Sequence, residues 1–309
     1  MSISEAELQK LAAQLPPPLA ESKHKGEAGR IGIVGGSLEY TGAPYYAGIT
    51  ALKCGADLAY VFCMRDAAVP IKSYSPELIV LPYLDSEQGY TLTTSRLHTI
   101  HSLVIGPGLG EDRRVHSLVV SIIEYIKKNE KLSSRISLVF DADGIGLIAN
   151  NKNILSNYAG HVYLTPNANE IKKLALAFLG SQDINIPDSL SQLAVCISPN
   201  AVLILKGKQD TVVARGNVYT CSVPGSLRRI GGQGDLLSGS LGVFSYWATL
   251  LDRNGKRENS APAAILAAYS ACSITRLCSQ FAFEAKGRST ITSDMIAQIG
   301  KAFETYFTR

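Results

Sequence analysis

The feature of this sequence that most constrains its fold is a series of short, continuous apolar runs separated by helical stretches. The runs cover residues 31–34, 58–63, 103–106, 136–143, 161–167 and 201–207. Continuous rather than alternating apolar runs are typical of strands that are covered on both faces. Strands that alternate with helices at this spacing predict an α/β fold, with a parallel, doubly wound sheet flanked by helices on both faces.

Residues 211–223 depart from this pattern, because two β-rich runs flank the turn sequence RGN. They predict a hairpin, so we expect a largely parallel but mixed central sheet. Residues 30–309 are expected to form a single domain. Residues 1–29 are expected to form a short helix, to about Leu15, and a lead-in whose three prolines end that helix.

Composition and charge narrow the class of protein. Apolar residues make up 46% and charged residues 18% of the chain, as in a globular protein rather than a disordered one. The net charge of +4 is too small and too scattered to indicate a nucleic-acid partner. The uncharged runs 236–251 and 260–275 are shorter than the roughly 20 residues of a membrane span. We therefore expect no membrane association, but two buried helices joined by a charged surface loop at 252–259.

Targeting and metal-binding signals are weak. The N-terminal region contains Glu5, Glu7 and Lys10 and no apolar block, unlike a secretory signal, so a cytoplasmic location is expected. The six cysteines show no zinc spacing and are expected to be reduced and mostly buried. His98 and His101 form an H-x-x-H pair without a third ligand, and we expect a surface position rather than a metal site.

Small or polar residues follow several of the predicted strands. These segments are GPGLG at 106–110, DADG at 141–144, TPNANE at 165–170 and KGKQD at 206–210. Ligands of open α/β sheets lie outside the carboxyl ends of the strands, so these segments are expected to converge on one crevice. The sequence contains no P-loop, no dinucleotide-binding G-x-G-x-x-G with its acidic partner and no G-x-S-x-G motif.

The stretch RRIGGQGDLLSG, at 228–239, is the strongest candidate for a phosphate site. A glycine-rich loop that runs into a helix points backbone N–H groups outward, where they bind anions. Asp235 opens the helix, and such an aspartate often does nothing more than cap it. Capping alone does not require Gly231, Gly232 and Gly234, so a functional role is favoured.

Two further groups of polar residues have both a structural and a functional interpretation. Asn167 and Glu170 have the spacing of a capping box, and Glu170 is also placed to hold water on Mg²⁺ that arrives with a nucleotide; both interpretations can be true. Asp141, Asp143 and Lys206 end buried strands, where they are either solvated or part of a site.

Taken together in chain order, GPGLG, FDADG, LTPNANE, KGKQD and GGQGDLLSG resemble the ATP-dependent NAD(P)H-hydrate dehydratases of the ribokinase-like superfamily. The similarity extends from about Arg30 to the C-terminus. The resemblance implies a ribokinase-like fold and a repair enzyme that dehydrates the S-form of hydrated NADH or NADPH (NADHX, NADPHX), restoring NAD(P)H and releasing ADP and phosphate. It also implies Mg²⁺ and an NAD(P)H-hydrate epimerase encoded separately, and it leaves a homo-oligomeric state open.

The resemblance also implies roles for individual residues. Asp235 orients the substrate hydroxyl and accepts its proton, an unexceptional carboxylate pKa sufficing, and the backbone of Gly232, Gln233 and Gly234 stabilises the transferred phosphoryl group. The implied ATP contacts are Lys206, Gly207, Lys208, Gln209, Asp210, Gly225, Ser226, Leu227, Arg228, Arg229, Ile230, Gly231, Gly232, Gln233 and Gly234. The implied hydrate contacts are Gly108, Asn167, Ala168, Asn169, Glu170 and Asp235. Gln233 resembles the form that uses ATP, whereas bacterial relatives that use ADP tend to carry G-T-G-D.

Two other functions remain as alternatives. A ribokinase-like kinase for a vitamin precursor or a sugar would use the same glycine loop and aspartate and would leave the phosphate on its product. A non-catalytic nucleotide-binding protein on this fold would tolerate Asp235→Asn in every activity that it has.

Overall fold

The central element of the fold is a nine-stranded sheet. A computed structural model describes residues 3–184, 188–214, 216–253 and 262–308. The strands are β1 (Arg30–Val34), β2 (Leu58–Phe62), β3 (Ile79–Leu81), β4 (Ser102–Ile105), β5 (Ser137–Phe140), β6 (Val162–Leu164), β7 (Ala201–Leu205), β8 (Asp210–Ala214) and β9 (Asn217–Cys221). Their order in the sheet is β3-β2-β1-β4-β5-β6-β7-β8-β9.

Helices connect most of the strands. They are α1 (Glu5–Ala12), α2 (Gly42–Lys53), α3 (Arg65–Tyr74), α4 (Gly89–Arg96), α5 (Arg113–Lys128), α6 (Glu130–Ser133), α7 (Asp143–Asn150), α8 (Ala168–Leu179), α9 (Asp188–Ile197), α10 (Gln233–Arg253), α11 (Ala263–Lys286), α12 (Thr292–Ala297) and α13 (Ile299–Phe307). None of the helices described is both long and apolar enough to cross a membrane.

The strand pairing confirms the predicted mixed sheet. Strands β1 to β7 pair in parallel, whereas β8 pairs antiparallel with both β7 and β9. The hairpin predicted at 211–223 is therefore present, although Arg215 in its turn lies outside the described residues. Strand β3 was not predicted, because its three residues are too few to stand out from the surrounding sequence.

The sheet is covered on both faces, as the continuous apolar runs predict. All four residues of β5 are buried, and they alternate between two cores. Val139 faces the core shared with α2, α10 and α11, while Leu138 and Phe140 face the core shared with α5, α7, α8 and α9. The predicted buried helices are α10 and α11, and residues 254–259 of the charged loop predicted between them lie outside the described residues.

The N-terminal helix α1 packs on α11 and reaches the end of β9. The carboxylate of Glu5 accepts hydrogen bonds from the Ser222 backbone N–H at 2.8 Å, from the Ser222 hydroxyl and from the Tyr269 hydroxyl. Helix α1 ends at Ala12, three residues before the predicted Leu15. The Leu15 side chain is nevertheless buried in the core with Leu8.

Helix α10 lies so close to α2 that a side chain at Gly239 has no room. A Cβ at Gly239 would lie 2.3 Å from the Ala47 carbonyl oxygen and 2.9 Å from the Ala47 Cα. Backbone atoms inside a helix cannot move aside without shifting the helix, so the two helices depend on glycine at this contact.

We expect Gly239→Ala to lower the free energy of unfolding by about 1–3 kcal/mol, because the clash with α2 outweighs the higher helix propensity of alanine. The matched control is Gly300→Ala in the first turn of α13, where an added Cβ meets nothing within 4 Å. That control is expected to be neutral or slightly stabilising. Denaturant unfolding of the two variants checks the difference, and equal stabilities would contradict the packing argument.

Candidate active site

A buried ion pair links the carboxyl ends of three neighbouring strands. Asp141 follows β5 and is 2% exposed, and its Oδ1 accepts hydrogen bonds from Lys206 Nζ at 2.9 Å and Thr165 Oγ1 at 2.7 Å. Lys206 follows β7 and Thr165 follows β6, so the parallel order of the strands places the three side chains together. Lys206 Nζ also lies 3.9 Å from Glu170 Oε2. Asp141 and Lys206 thus belong to the site and are not solvated strand ends.

The first turn of α10 lies directly against this ion pair. A Cβ at Gly234 would be 3.4 Å from Asp141 Oδ2 and 3.6 Å from Lys206 Nζ. The backbone N–H groups of Gly234 and Asp235 have no hydrogen-bond acceptor in the part of the chain that the structure describes. Unpaired N–H groups at a helix N-terminus attract anions, so this turn presents both an anion site and the Asp235 carboxylate.

The carboxyl groups at this edge have unequal proton affinities. Burial alone would raise the pKa of Asp141, but the charge and hydrogen bond of Lys206 outweigh burial and hold that pKa below its usual range. Asp235 keeps part of its surface exposed, yet burial of its carboxyl group and the charge of Asp141 raise its pKa well above the usual range, while Lys206 opposes the shift. Asp235 is therefore a stronger base than an ordinary carboxylate, although the sequence analysis required no more than an ordinary one.

Asn167 and Glu170 form the predicted capping box at the start of α8. Asn167 Oδ1 accepts from the Glu170 backbone N–H at 3.0 Å, and Glu170 Oε2 accepts from the Asn167 backbone N–H at 2.8 Å. Burial is the main cause that raises the pKa of Glu170. Ala168 and Asn169 form the first turn of the same helix. Of the implied hydrate contacts in this segment, Glu170 lies beside Lys206.

Gly108 lies at the point where the strand order reverses, between β1 and β4. Its φ is +60°, and its carbonyl oxygen accepts from the Gly36 backbone N–H at 2.9 Å. The same loop is held at Gly110, whose backbone N–H donates to Asp143 Oδ2 at 2.9 Å. Asp143 therefore supports the loop through its bond to Gly110. Gly108 lies at the strand-order reversal, which is the position where open α/β sheets bind ligands.

A cavity of about 690 Å³ adjoins the ion pair. Of the implied ATP contacts, those that line it are Lys206, Gly207, Lys208, Gln209, Asp210, Gly225, Ser226, Leu227, Arg229, Gln233 and Gly234. Its lining also includes residues that the sequence analysis missed, namely Ser222, Val223, Pro224, Leu237, Thr275, Arg276 and Ser279. The last three lie within α11, where no motif marks them.

The remaining implied ATP contacts, Arg228, Ile230, Gly231 and Gly232, do not line this cavity. Arg228 Nε donates to the Thr290 carbonyl oxygen at 3.1 Å, and the Thr292 hydroxyl donates to the Gly231 carbonyl oxygen. Gly232 has φ +93°, and a Cβ there would lie 2.7 Å from Thr292 Oγ1. These contacts hold the glycine loop against the residues at the start of α12.

Gln233 also holds the loop. Its Nε2 donates to the Arg228 carbonyl oxygen at 3.3 Å and to Ser279 Oγ at 3.4 Å. Ser279 Oγ in turn lies 2.7 Å from Ser226 Oγ. The side chain of Gln233 therefore ties the loop to α11.

The other candidate metal ligands in the sequence are His98, His101 and the cysteines. His98 is exposed as expected, but His101 is half-buried, accepts from the Arg30 backbone N–H at 3.2 Å and stacks on Tyr246 at 4.1 Å. The six cysteines are free thiols, and Cys196 is the exposed one. Among the residues described, no group of three or more His, Cys, Asp or Glu side chains could hold a metal ion.

Comparison with known proteins gives both the fold and the family. A family model for NAD(P)H-hydrate dehydratase matches residues 31–301. The Rattus norvegicus protein named ATP-dependent (S)-NAD(P)H-hydrate dehydratase is 46% identical over 303 residues, which cover 97% of this chain and 86% of the rat protein. The Homo sapiens protein of the same name is 46% identical, over 96% of this chain and 84% of the human protein.

Among solved structures, a ribokinase-like superfamily protein from Enterococcus faecalis has a TM-score of 0.75 at 17% identity, over 97% of this chain and 95% of that one. The ADP/ATP-dependent NAD(P)H-hydrate dehydratase from Bacillus subtilis, co-crystallised with ATP and Mg²⁺, has a TM-score of 0.70 at 20% identity, over 96% and 97% of the chains. These structures confirm the ribokinase-like fold. The family model and the close sequence relatives cover nearly the whole chain, which therefore belongs to the NAD(P)H-hydrate dehydratase family.

Proposed function

We propose that this site uses ATP to dehydrate NADHX and NADPHX, with Asp235 as the base and the cavity beside it as the ATP site. NAD(P)H-hydrate dehydration is the activity of the family, and the relatives that are 46% identical carry the name of the ATP-dependent enzyme. One observation carries the residue assignment: Gly234 lines the cavity, and a Cβ at Gly234 would lie 3.4 Å from Asp141 and 3.6 Å from Lys206, so nucleotide and base meet at the first turn of α10.

The cavity suits a nucleotide whose γ-phosphate points toward α10. The N–H groups of Gly234 and Asp235, which find no acceptor in the described ranges of the chain, stabilise negative charge on the phosphoryl group during transfer. Lys206 adds a positive charge beside them. Because Asp141 and Glu170 flank Lys206, its position is fixed before the nucleotide arrives.

Asp235 accepts the proton of the substrate hydroxyl as the hydroxyl oxygen attacks the γ-phosphorus and the bond to ADP breaks. This step replaces hydroxide, a poor leaving group, with phosphate, a good one. The ring nitrogen then assists the departure of phosphate with the C–O electron pair, and loss of a proton from the adjacent ring carbon restores the double bond. The raised pKa of Asp235 suits a proton acceptor of this kind.

The hydrate lies, in this proposal, between Gly108 and the segment Asn167, Ala168, Asn169 and Glu170, with its hydroxyl toward Asp235. Mg²⁺ prefers substrate phosphates, water and one or two carboxylates, so the residues present fit an ion that arrives with ATP. Glu170 would hold it through water, and the ion would neutralise phosphate charge. The proposal includes a cytoplasmic location and a separately encoded epimerase that supplies the S-form.

The direct test mixes the purified protein with hydrated NADH and ATP. We expect the near-ultraviolet absorbance of reduced nicotinamide to return, with ADP and phosphate released in equal amounts. No return of absorbance would contradict the proposal, and a stable phosphorylated product without free phosphate would indicate a kinase instead.

Asp235→Asn is expected to lower kcat by about 10²–10⁴-fold, because the amide cannot accept the proton. ATP affinity is expected to change little, since the N–H groups of the loop remain. The matched control is Asp188→Asn, which also alters a first-turn aspartate but on the exposed surface of α9. Turnover and ATP titration check both variants; full activity of Asp235→Asn would remove its catalytic role.

The pH dependence of kcat follows from the raised pKa of Asp235. Protonated Asp235 cannot act as a base, so kcat is expected to fall as pH drops through that pKa, at a higher pH than for an ordinary carboxylate. Asp141→Asn removes a negative charge beside Asp235 and should move this fall to lower pH. Lys206→Met removes a positive charge and should move it to higher pH. Shifts in the same direction for both variants would contradict the assignment.

A further inference from the structure

We infer that Arg276, in the middle of α11, is a positioning residue for ATP: it holds the walls of the nucleotide cavity in their binding geometry through a fixed set of hydrogen bonds. The inference rests on the proposed assignment of this cavity to ATP. Arg276 lines the cavity, and its side chain is 12% exposed.

The Arg276 guanidinium joins two separate loops of the cavity wall to α11. Nη1 donates to the carbonyl oxygens of Lys208 at 3.0 Å and Val223 at 3.3 Å, and Nη2 donates to that of Gly207 at 3.1 Å. Lys208 and Gly207 connect β7 to β8, whereas Val223 follows β9. One side chain of α11 thus fixes two loops that come from different strands.

Asp210 completes this arrangement. Its Oδ2 accepts from Arg276 Nε at 2.7 Å, and its Oδ1 accepts from the Gly207 backbone N–H at 3.1 Å. Asp210 is 8% exposed. Because both of its oxygens are engaged by the protein, Asp210 acts on ATP through Arg276 and Gly207, and the resemblance to the family did not distinguish this indirect role from a direct contact.

The arrangement matters for an anionic ligand because carbonyl oxygens repel phosphate. Arg276 draws three of them toward α11. Asp210 balances the charge of Arg276. Arg276 therefore contributes to ATP binding by fixing the geometry of the cavity wall more than by long-range attraction of phosphate. A lysine at this position would keep the charge, but its compact ammonium cannot reproduce the planar fork that reaches all four acceptors.

Three variants test the inference in the full-length protein: Arg276→Met, Arg276→Lys and Asp210→Asn. An asparagine at 210 faces two N–H donors with only one acceptor oxygen, so it satisfies either Gly207 or Arg276 but not both. We expect each variant to raise the KM for ATP by about ten- to a hundredfold, with Arg276→Lys smallest, while kcat and the KM for NADHX change less than about threefold. The double variant Asp210→Asn/Arg276→Met is expected to raise the KM for ATP no further than Arg276→Met alone.

Arg96→Met, on the exposed last turn of α4, is the matched control and should leave every constant unchanged. If Arg276→Met fails to fold, the other two variants decide the matter. Wild-type KM for ATP in Arg276→Lys or in Asp210→Asn would overturn the inference, as would an equal loss in kcat and in affinity for both substrates. Absence of ATP-dependent dehydration in the wild-type protein would instead contradict the proposed function.

Discussion

The ion pair between Lys206 and Asp141 is the interaction on which the rest of the site depends. A buried carboxylate without a partner would lower the stability of the fold. Lys206 balances the charge of Asp141, and the Thr165 hydroxyl donates a further hydrogen bond to it. The pair joins the ends of β5 and β7 across β6. It also sets the electrostatic surroundings of Asp235, since one member raises and the other lowers the pKa of that carboxyl group. The strand order thus brings Asp141 and Lys206 together, and the charges of this pair in turn shift the pKa of Asp235.

Helix α10 connects the site to the hydrophobic core. Its first turn carries Asp235 and two backbone N–H groups without an acceptor among the described residues, while Gly239 one turn later packs the same helix against the α2 backbone. A helix held this closely by packing cannot shift its first turn independently, so the position of Asp235 is determined by the core. Gln233 and Thr292 then fix the preceding loop from two further sides.

Much of the fold and part of the site could be predicted from the sequence. The continuous apolar runs gave the buried parallel strands, because burial on both faces removes polar alternation, and strand ends such as Asp141 and Lys206 converged as the sheet topology requires. Arg276 could not be predicted, since it lies 66 positions from Asp210 in a helix without a motif. Nor could the raised pKa of Asp235, which arises first from burial of its carboxyl group and then from the charge of Asp141, both of which exist only in the folded chain. His101 likewise acquires its stacking partner from distant α10.

The hydrogen bonds of Glu5 in α1 have a consequence for the order in which parts of the protein can fold during synthesis. Its partners Ser222 and Tyr269 follow it by 217 and 264 positions along the chain. A ribosome makes a chain from its N-terminus to its C-terminus, so this helix emerges long before Ser222, which lines the cavity beside the Asp141–Lys206 pair. Helix α1 therefore takes its final place, with Leu8 and Ala12 in the core, against segments that are synthesised long after it.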